Sequence, residues 1–283
     1  ASTQDSSLLA VIDTLGLMLR FFAYLGFTGA GAKFMSEYRT RDKHMARIYA
    51  KSAAKYNMWI TGFPLIIISF VLLLIRPTNQ VEFVAYLSLF VIIVFDRLTS
   101  NITIYVIGSQ RYDLYAYAYF LPYCGMYISA VITYPLFGVE GPLISFAVAR
   151  VLMFVSMSLM MGKACDFPYS DLWDWKEDYG LFWKLFKFNF LYSLANLAFS
   201  LLTTTLLISG GEWFGVLTNQ EITALYTVST FSNILMNLFG IVGPIMVSVS
   251  EAASVKNKKL VENYVMIALK FPILMAIAVL TFF

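Results

Sequence analysis

Eight stretches of this chain are each long and apolar enough to be a membrane-crossing helix: 8–32, 53–75, 81–107, 113–136, 141–162, 183–209, 220–250 and 260–283. A helix needs about 20 residues to cross the hydrocarbon core of a bilayer. Strands of a membrane barrel would instead be short and alternating, which runs such as Ile66-Ile67-Ile68 do not allow. Composition agrees: 59% of the 283 residues are hydrophobic, 13% are charged, and mean hydropathy is +0.72. A soluble domain usually carries about 25% charged residues, so this chain has too little polar surface to coat one. The expected fold class is an all-α polytopic membrane protein with eight transmembrane helices.

The basic residues split by side. Fifteen of the twenty fall in loops after the odd-numbered stretches: seven from Lys33 to Lys55, then Arg111, four from Lys163 to Lys187, and Lys256, Lys258 and Lys259. The three loops on the other side hold only Arg76. By the positive-inside rule, loops 33–52, 107–113, 163–182 and 251–259 are expected to be cytoplasmic. The chain starts without Met and stops within an apolar run. It therefore reads as a piece of a longer protein, with one helix before Ala1 and at least three after Phe283.

An internal repeat adds to this. The first stretch ends Gly26-Phe-Thr-Gly29, then Ser36-Glu37; the seventh ends Gly240-Ile-Val-Gly243, then Ser250-Glu251. Both read G-x-x-G-x6-S-E, and the next helix carries Phe63-Pro64 in one copy and Phe271-Pro272 in the other. The copies run in the same direction and lie six helices apart, which implies two six-helix lobes related by a pseudo-twofold axis along the membrane normal. Chance matching of common membrane residues is the alternative. The expected division is 1–162 for the first lobe, 163–182 for a linker, and 183–283 for the start of the second.

Charged groups inside spans are costly and mark cavities or partners. Arg20, Arg97 and Arg150 sit near mid-depth, and Lys270 is placed to snorkel toward an interface. Asp13 and Asp96 are the in-span acids, candidates for binding a coupling cation. Polar stripes run along the sixth stretch (Asn189, Ser193, Asn196, Ser200, Thr203) and the seventh (Thr223, Thr227, Thr230, Asn233, Asn237). Such faces point to another helix or to water. For the arginines the alternative to a cavity is structural pairing, with Asp96 the partner for an arginine on a neighbouring helix.

Other chemistries lack their residues. The one histidine, His44, falls in a basic loop, which nearly excludes a His-rich metal site or a Ser-His-Asp hydrolase. Cys124 and Cys165 read as free thiols. No P-loop is present. Asp171 and Asp174 form a DxxD that in isolation could hold a metal diphosphate in a prenyl- or glycosyl-transferase, but a solvated cytoplasmic linker is the much plainer explanation.

The segment Leu25-Gly26 through Ser36-Glu37-Tyr38, the Ile107-Gly-Ser-Gln-Arg111 turn and the Gly243-Pro244…Ser250-Glu251 close resemble the Wzx-like polysaccharide flippases of the multidrug/oligosaccharidyl-lipid/polysaccharide exporter superfamily. The resemblance is diffuse and covers the whole chain as helices two to nine. It implies two lobes around a central cavity, alternating access without ATP hydrolysis, no cofactor, and no enzymatic activity. It also implies a lipid-linked pyrophosphate oligosaccharide as substrate at the cell membrane. By position, Arg20, Arg97 and Arg150 would meet the pyrophosphate and Asn196, Asn233 and Asn237 the sugars. Implied partners are the bilayer, the lipid-linked glycan and other membrane proteins of glycan assembly, with no nucleic acid. The competing readings are a drug/cation antiporter of the same superfamily, the transferase just mentioned, and a non-transporting scaffold of a glycan-assembly complex.

Overall fold

The computed structural model describes residues 27–75, 77, 79–164, 168–172, 174, 180–190, 218, 220–221, 242–267 and 270. Among them all regular structure is helical. The named elements are α1 (Thr28–Arg39), α2 (Lys43–Tyr56), a π-helical segment (Asn57–Gly62), α3 (Phe63–Ile75), α4 (Gln80–Gly108), α5 (Tyr112–Phe137), α6 (Glu140–Ala164), a 3-10 turn (Tyr169–Leu172) and α7 (Val242–Ser254).

Three helices in the described residues are long and apolar enough to cross a membrane: the continuous rod Lys43–Ile75, Tyr112–Phe137, and Glu140–Met161. α4 is a fourth long helix, 29 residues and about 44 Å at 1.5 Å per residue. It carries the adjacent Asp96 and Arg97 near its middle. Most of the first, sixth, seventh and last expected stretches lies outside the described residues.

The helix ends follow local chemistry. The Asp42 side chain accepts from the backbone N–H groups of His44 and Met45 and so caps α2. Asn79 does the same for α4 through the Glu82 N–H. The basic stretch 33–52 is not a loop: only residues 40–42 separate α1 from α2. Lys43, Arg47, Lys51 and Lys55 recur every four residues and form one basic stripe on α2, while Ala46, Ala50, Ala53 and Ala54 are buried on its other side.

Small residues set how closely these helices pack. A Cβ at Gly31 would come within 2.5 Å of the Ala53 Cβ and 3.0 Å of Ile104 Cγ2. A bare backbone is therefore what lets α1 nest between α2 and α4. Around that contact Phe27, Phe34, Met35, Tyr49, Ile104 and Tyr105 form one core with Met157 of α6 and Leu185. A second core holds Leu65, Ala85, Leu89, Ile93, Val139 and Leu143, where α3, α4 and the start of α6 meet.

The outward faces are apolar. Ile67 and Leu74 on α3, Phe120 and Val131 on α5, and Leu152 and Leu159 on α6 are all exposed. A water-soluble chain would leave an adhesive surface there, whereas lipid tails accept it. Pro122 and Pro135 lie inside α5, which continues past both to Phe137.

Candidate functional site

The polar centre of the bundle is built on one turn of α4. Asp96 and Arg97 are neighbours there, with the Arg97 guanidinium 3.9 Å from the Asp96 carboxylate. From α6, Arg150 reaches the same carboxylate at 3.0 Å. Two guanidiniums from two helices therefore converge on Asp96. The side chains of Asp96, Arg97 and Arg150 are 18%, 9% and 12% exposed, so the cluster is largely removed from water. Charges in such a place interact strongly and are expensive to separate.

α5 supplies the wall. Arg150 lies over the Tyr123 ring, 5.3 Å from its centre, a distance at which the ring face attracts a cation. Nη1 of Arg150 also approaches the Met153 sulfur at 3.7 Å. Tyr123 continues a ladder with Tyr119 and Tyr115, whose ring centres are 6.2 and 4.5 Å apart in turn. On the α4 side Phe95 meets Phe154 edge-on. The sequence reading did not single out the tyrosines. Their spacing of four residues, which places them on one helix face, is the signal that could have found them.

One turn further along α4 the polar centre meets the π-helical segment. Asn57 donates through Nδ2 to Ser100 Oγ and to Asn101 Oδ1, each at 2.7 Å. Ser100 Oγ donates to the Arg97 carbonyl at 2.8 Å. Thr61 donates to the Asn57 carbonyl at 2.7 Å. The rod Lys43–Ile75 thus widens where it carries a buried asparagine, and that asparagine is tied to the backbone of Arg97. π-helical turns are frequently kept at functional positions.

A second polar zone lies at the end of the bundle that carries the basic stripe. Arg47 grips Asp171 through both Nε and Nη2 at 2.5 Å. Lys51 reaches Asp171 at 3.5 Å and Asp174 at 2.6 Å. Both carboxylates of the DxxD are thus engaged by cations of α2, and the Asp171 side chain is fully buried in that contact. Nearby, Lys184 donates to the Tyr49 hydroxyl over the rings of Phe34, Tyr38 and Tyr49. Among the described residues no group of His, Cys, Asp and Glu is arranged to hold a metal ion.

Of the residues singled out from sequence, Arg97, Arg150 and Asp96 are brought together. The neighbouring-helix pairing considered for Asp96 is the one found, with Arg150 as the partner. Lys270 is exposed and Asn189 buried. Arg20, Asp13, Asn196, Asn233 and Asn237 lie outside the described residues. No family model, curated protein or solved structure matches this chain.

Proposed function

We propose that this chain belongs to a flippase that carries a lipid-linked pyrophosphate oligosaccharide across the cytoplasmic membrane by alternating access. In this reading the eight helices are part of two six-helix lobes, and the basic ends face the cytoplasm. The observation that carries the reading is the convergence of Arg97 and Arg150 on Asp96 within an apolar helical bundle. A bundle that needed only packing would place aliphatic residues there, because a buried ion cluster rarely gains stability over well-packed apolar side chains. Guanidiniums are well suited to phosphate: each offers a planar fork of donors matching two oxygens. Asp96 holds the two forks in place when no phosphate is present, and a pyrophosphate competes with it for the same donors. The tyrosine ladder of α5 ends at Arg150, and the apolar outer faces of α3, α5 and α6 leave a prenyl tail in lipid.

A drug/cation antiporter of the same superfamily is the second reading, and it favours acidic groups in the cavity. The described polar centre instead gathers two cations around one acid. The transferase reading is the less favoured one, because Arg47 and Lys51 pair with Asp171 and Asp174 and would compete with a metal diphosphate for those carboxylates.

The test is binding by the purified protein in detergent. Undecaprenyl pyrophosphate should bind at least about tenfold more tightly than the uncharged polyprenol, a difference of about 1.4 kcal/mol. Arg150→Gln should remove most of that preference. Equal affinity for the charged and uncharged lipids sinks the reading.

A further inference from the structure

The two copies of the G-x-x-G-x6-S-E repeat meet in space: α1 packs against α7. Ser36 Oγ donates to its own i−3 carbonyl, Lys33 O, at 2.8 Å, and to Val247 O on α7 at 3.3 Å. With the offset of 214 residues, Val247 is the repeat partner of Lys33. One hydroxyl therefore bonds the same backbone position in both copies, as expected where repeat-related helices cross near their symmetry axis.

The two glutamates of the repeat have diverged in their partners. Glu37 has Lys33 one turn before it and pairs with it inside α1 at 2.5 Å. Glu251 has Val247 at that position, and its carboxylate reaches across the crossing. Arg39 of α1 meets it at 3.4 Å, and Gln110 Nε2 donates to it from the turn between α4 and α5. Arg39 also donates to the Ser109 carbonyl in that turn at 2.5 Å. Gln110 holds a positive φ of 57°, a conformation that costs a non-glycine residue energy and is kept where surroundings demand it. Ser248 adds a hydroxyl contact to Tyr112 at 3.3 Å.

We infer that Glu251 is a latch: it clamps Arg39 and Gln110 to hold the repeat-related helices α1 and α7 closed at the basic end of the bundle, and its release parts them. Its role as a cytoplasmic gate rests on the flippase reading above, but the latch itself can be read without any substrate. Val247 is buried in the contact and meets Ser36 through its backbone carbonyl, so the small substitution Val247→Cys keeps that bond and serves as the reporter. In a Cys124→Ser, Cys165→Ser background, a membrane-impermeant maleimide is applied to inside-out vesicles. The reporter should label slowly. Glu251→Gln should raise the labelling rate about fivefold, the ratio equivalent to the roughly 1 kcal/mol of a part-exposed ion pair. Arg39→Glu should raise it similarly, and Arg39→Glu combined with Glu251→Arg should recover at least half of the protection. That recovery also shows that the single variants were folded. Labelling at one unchanged rate in all of these proteins, or no recovery in the charge swap, overturns the latch. Because no lipid-linked substrate takes part, a failed flippase reading leaves this result intact.

Discussion

Removing the Asp96 carboxylate while leaving its shape, Asp96→Asn, is the perturbation with the clearest arithmetic. At an effective dielectric of about 20, a unit pair at 3.0 Å (Arg150) attracts by about 5.5 kcal/mol and one at 3.9 Å (Arg97) by about 4 kcal/mol. Desolvation opposes this by several kcal/mol per ion. Measured losses for breaking one partner of a buried pair are about 3–5 kcal/mol, because the remaining charge stays buried. The folded protein should therefore lose about 3 kcal/mol or more, a fall in Tm on the order of 10 °C for a chain of this size. Arg150→Gln should cost a similar amount. The double variant should lose at least about 2 kcal/mol less than the two single losses added together, since the charge left stranded by each is removed by the other. Tryptophan-fluorescence thermal unfolding in detergent reads all three. Strict additivity, or a loss below about 0.5 kcal/mol for Asp96→Asn, refutes the claim that these groups form one coupled cluster.

Other substitutions test the packing around that centre. Gly31→Ala should destabilise by about 1–3 kcal/mol, because its Cβ meets Ala53 at 2.5 Å; Gly29→Ala, with open space at its Cβ, should instead gain up to about 1 kcal/mol, both read as shifts in Tm. Asn57→Ala should cost about 1–3 kcal/mol by leaving Ser100 and Asn101 short of a donor, and a neutral result would show that the π-helical turn is held by packing alone. Asp171→Ala should free the 163–182 linker for limited proteolysis at protease levels that spare the parent protein, while Asp174→Ala, at a side chain that is itself 44% exposed, should change stability by no more than about 1 kcal/mol.

Helix positions were legible because the apolar runs needed to cross a bilayer leave little choice. The expected stretches 81–107, 113–136 and 141–162 lie within about two residues of Gln80–Gly108, Tyr112–Phe137 and Glu140–Ala164. The start of α2 was misread for a physical reason. Hydropathy reports where a helix leaves lipid, not where it ends, and Lys43 to Lys55 form a charged helix in the polar zone. The four-residue spacing of its cations and the Asp42 cap were there to be read.

Depth in the membrane pointed to Arg97, Arg150 and Asp96, but depth says nothing of azimuth. Which cation meets which acid depends on how α4 and α6 rotate about their axes, and residues 96 and 150 lie on different helices. The docking of Asp171 on Arg47 is a similar case: a linker carboxylate looks solvated until the partner stripe is known to be helical. The repeat was visible in sequence, whereas the cross-helix reach of Glu251 depends on the fold bringing the two copies face to face.

The most direct test of an anion-carrying role is translocation itself. The full-length protein is reconstituted into liposomes with an undecaprenyl-pyrophosphate oligosaccharide, and glycan exposed on the far leaflet is scored with an impermeant lectin or glycosidase. The account predicts transfer well above that in protein-free vesicles. Arg150→Gln should slow it at least about tenfold, the loss of roughly one charge-assisted phosphate contact. Parent protein that moves no glycan, or a folded Arg150→Gln variant that moves it at the parent rate, contradicts the account.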